Sequence, residues 1–191
     1  MGKSLIVYCS LYGTTMKYIE WIKESTDSDV VDAKEVTADQ LMQYDTLVFG
    51  GYVRKLKIMI AEVIKENWNI IKDKKIILFL ASAAKPDSVI PFWFYNQEFH
   101  SEIKKNILFY PVGGCINRTE MTEDDKDYID NVDTLLRQHF NMTDLMITKE
   151  YESIIESLKQ DFDDVKEKYI TPVIKRINTW NEEDAIDEIF L

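Results

Sequence analysis

In the stretch Tyr8-Cys9-Ser10-Leu11-Tyr12-Gly13-Thr14-Thr15, the hydroxyls of Ser10, Tyr12, Thr14 and Thr15 flank one glycine. The stretch joins a short apolar run, Ser4 to Cys9, to an amphipathic segment that begins near Thr14. A loop between the carboxyl end of a strand and the amino end of a helix presents unpaired backbone N–H groups and the positive end of the helix dipole. Such a loop accepts an anion, and a phosphate fits it. The side chains narrow the choice of phosphate ligand. A nucleoside-triphosphate loop needs a lysine before the helix-starting Ser or Thr, and Thr14-Thr15 is followed by Met16. A dinucleotide fingerprint needs three spaced glycines, and only Gly13 is present. A cysteine phosphatase needs an arginine six positions after its nucleophile; Cys9 stands correctly, but the sixth position is Thr15. A phospho-receiver needs acids at the ends of its first and third strands, where this chain has Cys9-Ser10 and Gly50-Gly51. What remains is Ser-x-x-Gly-x-Thr, a set of neutral donors without lysine or arginine. Taken alone, the same turn also reads as a helix cap with no ligand.

The elements that must position this loop alternate along the chain. Strands are predicted over Ser4 to Cys9, Asp29 to Val36, Thr46 to Gly50, Lys75 to Ala81 and Ile107 to Val112, from runs rich in β-branched and aromatic residues. Helical spacing falls over Thr14 to Glu24, Ala38 to Gln43 and Leu56 to Ile71, with an ambiguous stretch from Pro86 to Lys105. The central strands are apolar on both faces, which requires helices on both sides of a parallel sheet. The expectation is an α/β fold, a doubly wound five-stranded parallel sheet of order 2-1-3-4-5. Ligands in such sheets bind at the carboxyl ends of the strands near the switch point, so the loops after Cys9, Gly50 and Ala81 are the candidates.

The opening loop resembles the phosphate loop of flavodoxins, in which hydroxyls and backbone amides wrap the FMN phosphate without a cation. Two further stretches extend the resemblance, Gly50-Gly51-Tyr52-Val53-Arg54 and Ala81-Ser82-Ala83-Ala84-Lys85-Pro86. They look most like the flavodoxin-type branch that includes menaquinone-dependent protoporphyrinogen oxidase. The resemblance covers roughly residues 3 to 114. It implies FMN as cofactor, held by Ser10, Leu11, Tyr12, Gly13, Thr14 and Thr15 at the phosphate. It also implies that Gly51, Tyr52, Val53 and Arg54 lie on one side of the ring, with Ser82, Ala83, Ala84 and Lys85 on the other. Arg54, with Lys55 and Lys57, stands where a helix start is expected, and cations there oppose the dipole. That cost suggests an anionic partner, such as an acid group of a substrate or electron partner facing Arg54 and Lys85.

The last third of the chain departs from this pattern. Through Arg118 there are 15 Lys and Arg against 14 Asp and Glu, and beyond it 8 against 20, so the net charge of -11 resides in the C-terminal part. Thr122-Glu123-Asp124-Asp125 reads as a helix start, and Tyr128, Ile129, Val132, Leu135, Leu136 and Phe140 make a helical stripe. This helix is expected to close the sheet after the fifth strand. The chain then divides into a flavodoxin-like domain over 1–140 and an acidic helical extension over 141–191. In the extension, Tyr151, Ile155, Leu158, Phe162, Val165 and Tyr169 alternate by four and three. The spacing predicts one seamed helix, packed on the domain or used to pair two copies. Thr171-Pro172 reads as the cap and first position of another helix, ending near Trp180.

The content of 46% hydrophobic and 12% aromatic residues suits one α/β domain with an appendage. No apolar run is long enough to span a bilayer and no signal peptide opens the chain, so a cytoplasmic location is expected. Cys9 and Cys115 are expected as reduced thiols. His100 and His139 have no ligand-spaced partners and read as packing or surface. The cluster Pro91-Phe92-Trp93-Phe94-Tyr95 reads as core, with a cover for the flavin pocket as the alternative. Negative charge disfavours nucleic acid and an anionic lipid surface. The reading is therefore an FMN-binding redox protein that transfers electrons to a partner protein or a small redox substrate. An FMN-dependent oxidoreductase of the protoporphyrinogen oxidase or quinone reductase type is an alternative, and a flavin-free interaction domain is a third.

Overall fold

The computed structural model describes residues 4–139, 143 and 148–189. Five parallel strands form the sheet: β1 (Ser4–Tyr8), β2 (Ser28–Asp32), β3 (Thr46–Arg54), β5 (Lys75–Ser82) and β6 (Ile107–Gly113). A short β4 (Lys57–Ile58) hairpins onto β3. The spatial order is β2-β1-β3-β5-β6, which among the parallel strands alone is the expected 2-1-3-4-5. Register runs Ser4 opposite Thr46 to Tyr8 opposite Gly50 between β1 and β3. The ends of these two strands therefore come level at the switch point.

Strand alternation sorts the side chains into two cores. Leu5, Val7, Leu47, Phe49, Ile76 and Leu78 face a layer made by α2 (Ala38–Met42), α3 (Ala61–Glu66), α4 (Trp68–Ile71), α5 (Val89–Glu98) and α6 (Ser101–Lys104). Ile6, Val48, Ile77 and Phe79 face α1 (Thr14–Ser25) and the C-terminal α10 (Glu167–Ile189). Each such side chain, fully buried, contributes about 1.5–3 kcal/mol relative to exposure, and this two-sided burial makes the strands read as continuous apolar runs.

Three elements differ from expectation. Leu56 to Ile71 is not one helix but the β3–β4 hairpin followed by α3 and α4, because the chain turns back at Lys55 and Leu56, both at positive φ (48° and 63°). The helix lying against α1 and the sheet is α10, whose Ile170, Val173 and Ile177 are fully buried in that core. Its Asn178 amide also donates to the Ser25 carbonyl at the end of α1 (3.2 Å). The segment from Thr122, expected in that position, goes elsewhere: it forms α7 (Glu123–Asp130) and α8 (Val132–His139), which pack with α9 (Lys149–Leu158) in a third apolar cluster. Finally, the apolar seam is not one helix. It breaks after Leu158, where Phe162–Asp163 forms β8 against β7 (Cys115–Ile116). Tyr151, Ile155 and Leu158 thus join the third cluster, whereas Val165 and Tyr169 lie on the α1 side of the sheet. Thr171-Pro172 does not open a new helix that ends near Trp180: Pro172 lies inside α10, which runs from Glu167 to Ile189, and its lost N–H falls within the second turn. Phe140 and the boundary expected at 140–141 lie outside the described residues.

The chain thus leaves the sheet after β6, makes an excursion from Asn117 to Asp161, and returns to almost the same point before α10. The base of this excursion is pinned. Asp164 N–H donates to the Gly114 carbonyl (3.0 Å) and Arg118 N–H to Asp161 Oδ1 (2.7 Å). A Cβ on Gly113 would meet the Asp164 carbonyl oxygen at 2.1 Å, so only glycine lets the two passes come this close.

Candidate functional site

The β1–α1 loop is shaped by Gly13, which caps α1 at φ +83°, a left-handed conformation open to glycine at little cost. The cap makes no side-chain hydrogen bond to the first turn. Cys9 N–H donates to the Gly50 carbonyl (3.0 Å), locking the loop's start against β3. Ser10 Oγ and Thr15 Oγ1 are buried and have no hydrogen-bond partner; they are two of five such side-chain atoms among the described residues. Thr15 is only 1% exposed. A buried hydroxyl without a partner costs roughly 1–3 kcal/mol, so two of them in one loop at a helix amino end point to an anionic acceptor that belongs there.

A single cavity connects most of the residues expected at the site. Ser10, Leu11, Tyr12, Thr14 and Thr15 line it at the loop; Tyr52, Val53 and Arg54 line it from β3. Ser82, Ala83 and Ala84 line it beyond β5. Gly13, Gly51 and Lys85 are not among its walls. Gly13 acts through its backbone. Gly51 turns its open side to Ile60, whose Cγ2 would lie 2.7 Å from an added Cβ. Lys85 is exposed. Tyr52 is half-buried on a strand that continues past Gly50 and Gly51, and burial raises its phenol above the ordinary value.

Leu56 of the β3–β4 turn and Ile90, Trp93 and Phe94 of α5 add further walls, and much of the rest comes from the excursion, which lies over the carboxyl edge of the sheet as a cap. Its key polar residue is Asp125, 3% exposed. Arg54 donates to Asp125 Oδ1 from both Nε and Nη2 at 2.9 Å. Tyr12 donates its hydroxyl to Oδ2 (2.5 Å) and accepts from the Thr122 N–H (3.3 Å). Thr122 caps α7 by accepting from the Asp125 N–H (3.2 Å). Burial by itself would raise the Asp125 carboxyl, but the hydrogen bonds from Arg54, Tyr12 and Thr122 outweigh it and hold the carboxyl below its ordinary value. The same contact raises the Arg54 guanidinium, and Lys55 pairs with the neighbouring Asp124. Two of the three cations that opposed a helix start, Arg54 and Lys55, therefore have an anionic partner within the chain. Tyr12 turns its hydroxyl to α7, so its role differs from that of Ser10 and Thr15.

Asp125 was read from sequence only as part of a helix start. The available signal was charge: an acidic first turn opposite an otherwise costly Arg54-Lys55 pair. Tyr128, Ile129, Val132 and Leu136 were visible as a stripe, but they line the cavity rather than the back of the sheet. The aromatic cluster is divided. Pro91 and Tyr95 are buried as expected of core, whereas Trp93 and Phe94 line the cavity and Phe92 is 44% exposed. Tyr95 stacks on Phe109 with ring centroids 4.2 Å apart.

The thiols are quiet. Burial pushes Cys9 up to about 12, and it also raises Cys115. Among the described residues no group of His, Cys, Asp and Glu is arranged to hold a metal, and no helix is long and apolar enough to cross a membrane.

The profile of the flavodoxin domain family matches residues 5–144. Among curated proteins, none matches the chain. Solved structures of similar fold include a flavodoxin from the domain Archaea, at 15% identity over 70% of this chain and 99% of that one, with a TM-score of 0.42. Flavodoxin 2 from Bacillus cereus is 18% identical over 72% of this chain and 99% of its own, TM-score 0.43. An FMN-dependent NADH-azoreductase from Bacillus anthracis is 10% identical over 83% and 98%, TM-score 0.41.

Proposed function

Because the chain belongs to the flavodoxin domain family, we propose that it is an FMN-binding redox protein of the cytoplasm that transfers electrons through its flavin. The observation that carries this reading is the pair of buried, unpartnered hydroxyls, Ser10 Oγ and Thr15 Oγ1, at the amino end of α1. A phosphate supplies the acceptors they lack, and the adjoining backbone N–H groups and helix dipole favour its charge. FMN, when bound, supplies one- and two-electron chemistry through its ring system. The chain's own part is to bind and orient. Ser10 and Thr15 donate to the phosphate, Gly13 gives the loop its curvature, and Tyr52 with Ala83 and Ala84 bounds the space for the ring. Arg54 is held by Asp125.

A second reading is an FMN-dependent oxidoreductase acting on a small molecule. It is favoured by the cap, whose α7–α9 helices wall the cavity with apolar side chains. The two are separated by turnover with small electron acceptors compared with reduction of a protein acceptor.

Titration of the apoprotein with FMN, followed by flavin fluorescence and absorbance, tests the main reading. A lost hydrogen bond to a charged group costs about 1.5–3 kcal/mol, so Ser10→Ala and Thr15→Val should each weaken FMN binding by roughly 10- to 150-fold. No binding by the wild type, or wild-type affinity in both variants, refutes it.

A further inference from the structure

The cavity is chemically two-ended. Its loop end carries the hydroxyls of Ser10 and Thr15; its far end lies under the cap, between Leu56, Phe94, Ile129, Val132, Leu136 and Ile155. These six come from four places in the fold: the β3–β4 turn, α5, the α7–α8 pair and α9. Val132, Leu136 and Ile155 are each buried at 9% exposure or less. The polar groups bordering this end are already engaged. Arg54 and the Tyr12 hydroxyl are bound to Asp125, and Tyr151 donates to Asp133 Oδ1 (2.7 Å). Burial pushes the Tyr128 phenol up to about 12, so that ring is neutral at ordinary pH. Among the described residues the charged side chains lining the cavity, Arg54, Lys55 and Asp125, are already in ion pairs, so a charged ligand group placed here would have to compete for them and would lose its water. A neutral apolar one would lose only unfavourable contact with water.

We propose that the compartment under the cap is a second binding site, for a neutral, apolar, ring-bearing small molecule that sits beside the phosphate-loop end without displacing its ligand. Its role as a substrate site rests on the flavin reading above, but its ligand chemistry does not. The β7–β8 pair and the Arg54–Asp125–Tyr12 contacts hold the cap over the compartment, so the specificity comes from the excursion and not from the sheet.

The neutral fluorophore N-phenyl-1-naphthylamine is the probe, titrated into the full chain with and without saturating FMN. The expected result is saturable one-site binding with blue-shifted emission in both forms. Leu136→Trp and, independently, Ile155→Phe fill the compartment and should weaken the probe at least tenfold, with the FMN dissociation constant unchanged within threefold. On the wild-type chain, photocrosslinking with a neutral benzophenone should label peptides that carry Leu56, Phe94 or the stretch from Ile129 to Ile155, which guards against variants that fail to fold. Absence of saturable binding, stoichiometric displacement of the probe by FMN, or labelling confined to other peptides overturns the proposal. Probe binding without FMN binding defeats the flavin reading and leaves the compartment standing; the reverse result defeats the compartment alone.

Discussion

The contact between Arg54 and Asp125 ties β3 to the cap, and removing Arg54 measures what it contributes. Arg54→Met keeps much of the side chain's apolar stem but withdraws the two N–H donors, both 2.9 Å from Asp125 Oδ1. The Asp125 side chain is 4% exposed and that of Arg54 32%. Withdrawing one partner from a fully buried pair costs about 3–5 kcal/mol. Water reaches Oδ1 through the space Arg54 vacates, and Tyr12 still donates to Oδ2, so we expect about 2–3 kcal/mol here. For a chain of this length that corresponds to a fall in Tm of roughly 4–12 °C. Urea unfolding at pH 7 gives the free energy, and the double variant Arg54→Met/Asp125→Leu gives the coupling. The double variant should recover most of the loss, because no unpaired carboxylate is left behind.

Acid supplies an independent check on the same pair. The Asp125 carboxyl is held below its ordinary value in the folded protein. Its contribution is therefore fully present above the unfolded value of about 3.9 and is lost as pH falls through the lower folded value. In Arg54→Met the carboxyl loses that support and protonates at higher pH, so the deficit relative to wild type should shrink on acidification from pH 7 towards pH 3. A loss under about 0.5 kcal/mol at pH 7, within the range of ordinary surface substitutions, or a deficit that does not change with pH, refutes the assignment of this pair as the tie between sheet and cap.

Four further outcomes are expected. Thr15→Val should leave the apoprotein as stable or more stable by urea unfolding while weakening FMN, since the hydroxyl it removes is buried without a partner; a clear loss of apoprotein stability would show that the hydroxyl is satisfied within the chain. Lys55→Asn should raise stability by about 0.5–1 kcal/mol, because Asn tolerates the left-handed φ of this two-residue turn better than Lys; a destabilised variant in thermal unfolding contradicts the turn. Gly113→Ala should lower stability by at least about 1–3 kcal/mol through the 2.1 Å approach to the Asp164 carbonyl, and limited proteolysis should then cut within the 117–161 excursion before the sheet. Cys9, pushed up to about 12, should react with iodoacetamide at pH 8 far more slowly than in urea; equal rates would place the thiol in solvent.

The sheet was legible because its signals are local. β-branched runs of five to nine residues separated by helical spacing specify strands, and burial on both faces specifies covering helices. The phosphate loop was legible for the same reason, since its hydroxyls and glycine lie within six residues of one another. The β3–β4 hairpin was not: a two-residue turn with positive φ at both positions normally announces itself by Asn or Gly, and here it is Lys55-Leu56. Gly50-Gly51 drew the end of the strand too early, whereas the strand runs on to Arg54 because Gly50 accommodates the ring of Phe79 and Gly51 the side chain of Ile60. The apolar seam failed differently. Its four-and-three spacing continues by coincidence through Phe162 and Val165, although the backbone is extended there and the residues serve two separate clusters. The pairing of Asp125 with Arg54 spans 71 residues and follows from topology, which neither local charge nor periodicity specifies.

The position of the excursion explains how a chain can acquire new walls for a site without disturbing its sheet. The carboxyl end of β6 lies at the same edge as the β1–α1 loop, so a segment inserted there reaches the ligand site directly. Its two ends must then return to nearly one point, so that α10 can still cover α1 and the sheet. Gly113, Gly114 and the β7–β8 pair meet that demand by bringing the outgoing and returning strands into contact. Opposite this base, Asp125 joins the cap to β3 through Arg54 and to the phosphate loop through Tyr12. The cap is thus fixed at two ends, one at the edge strand and one across the mouth of the cavity. Tyr12 in the phosphate loop and Asp125 in the cap share a part-buried hydrogen bond. Tyr12→Phe, which removes only that hydroxyl, is therefore the smallest change that cuts the tie between the phosphate loop and the cap.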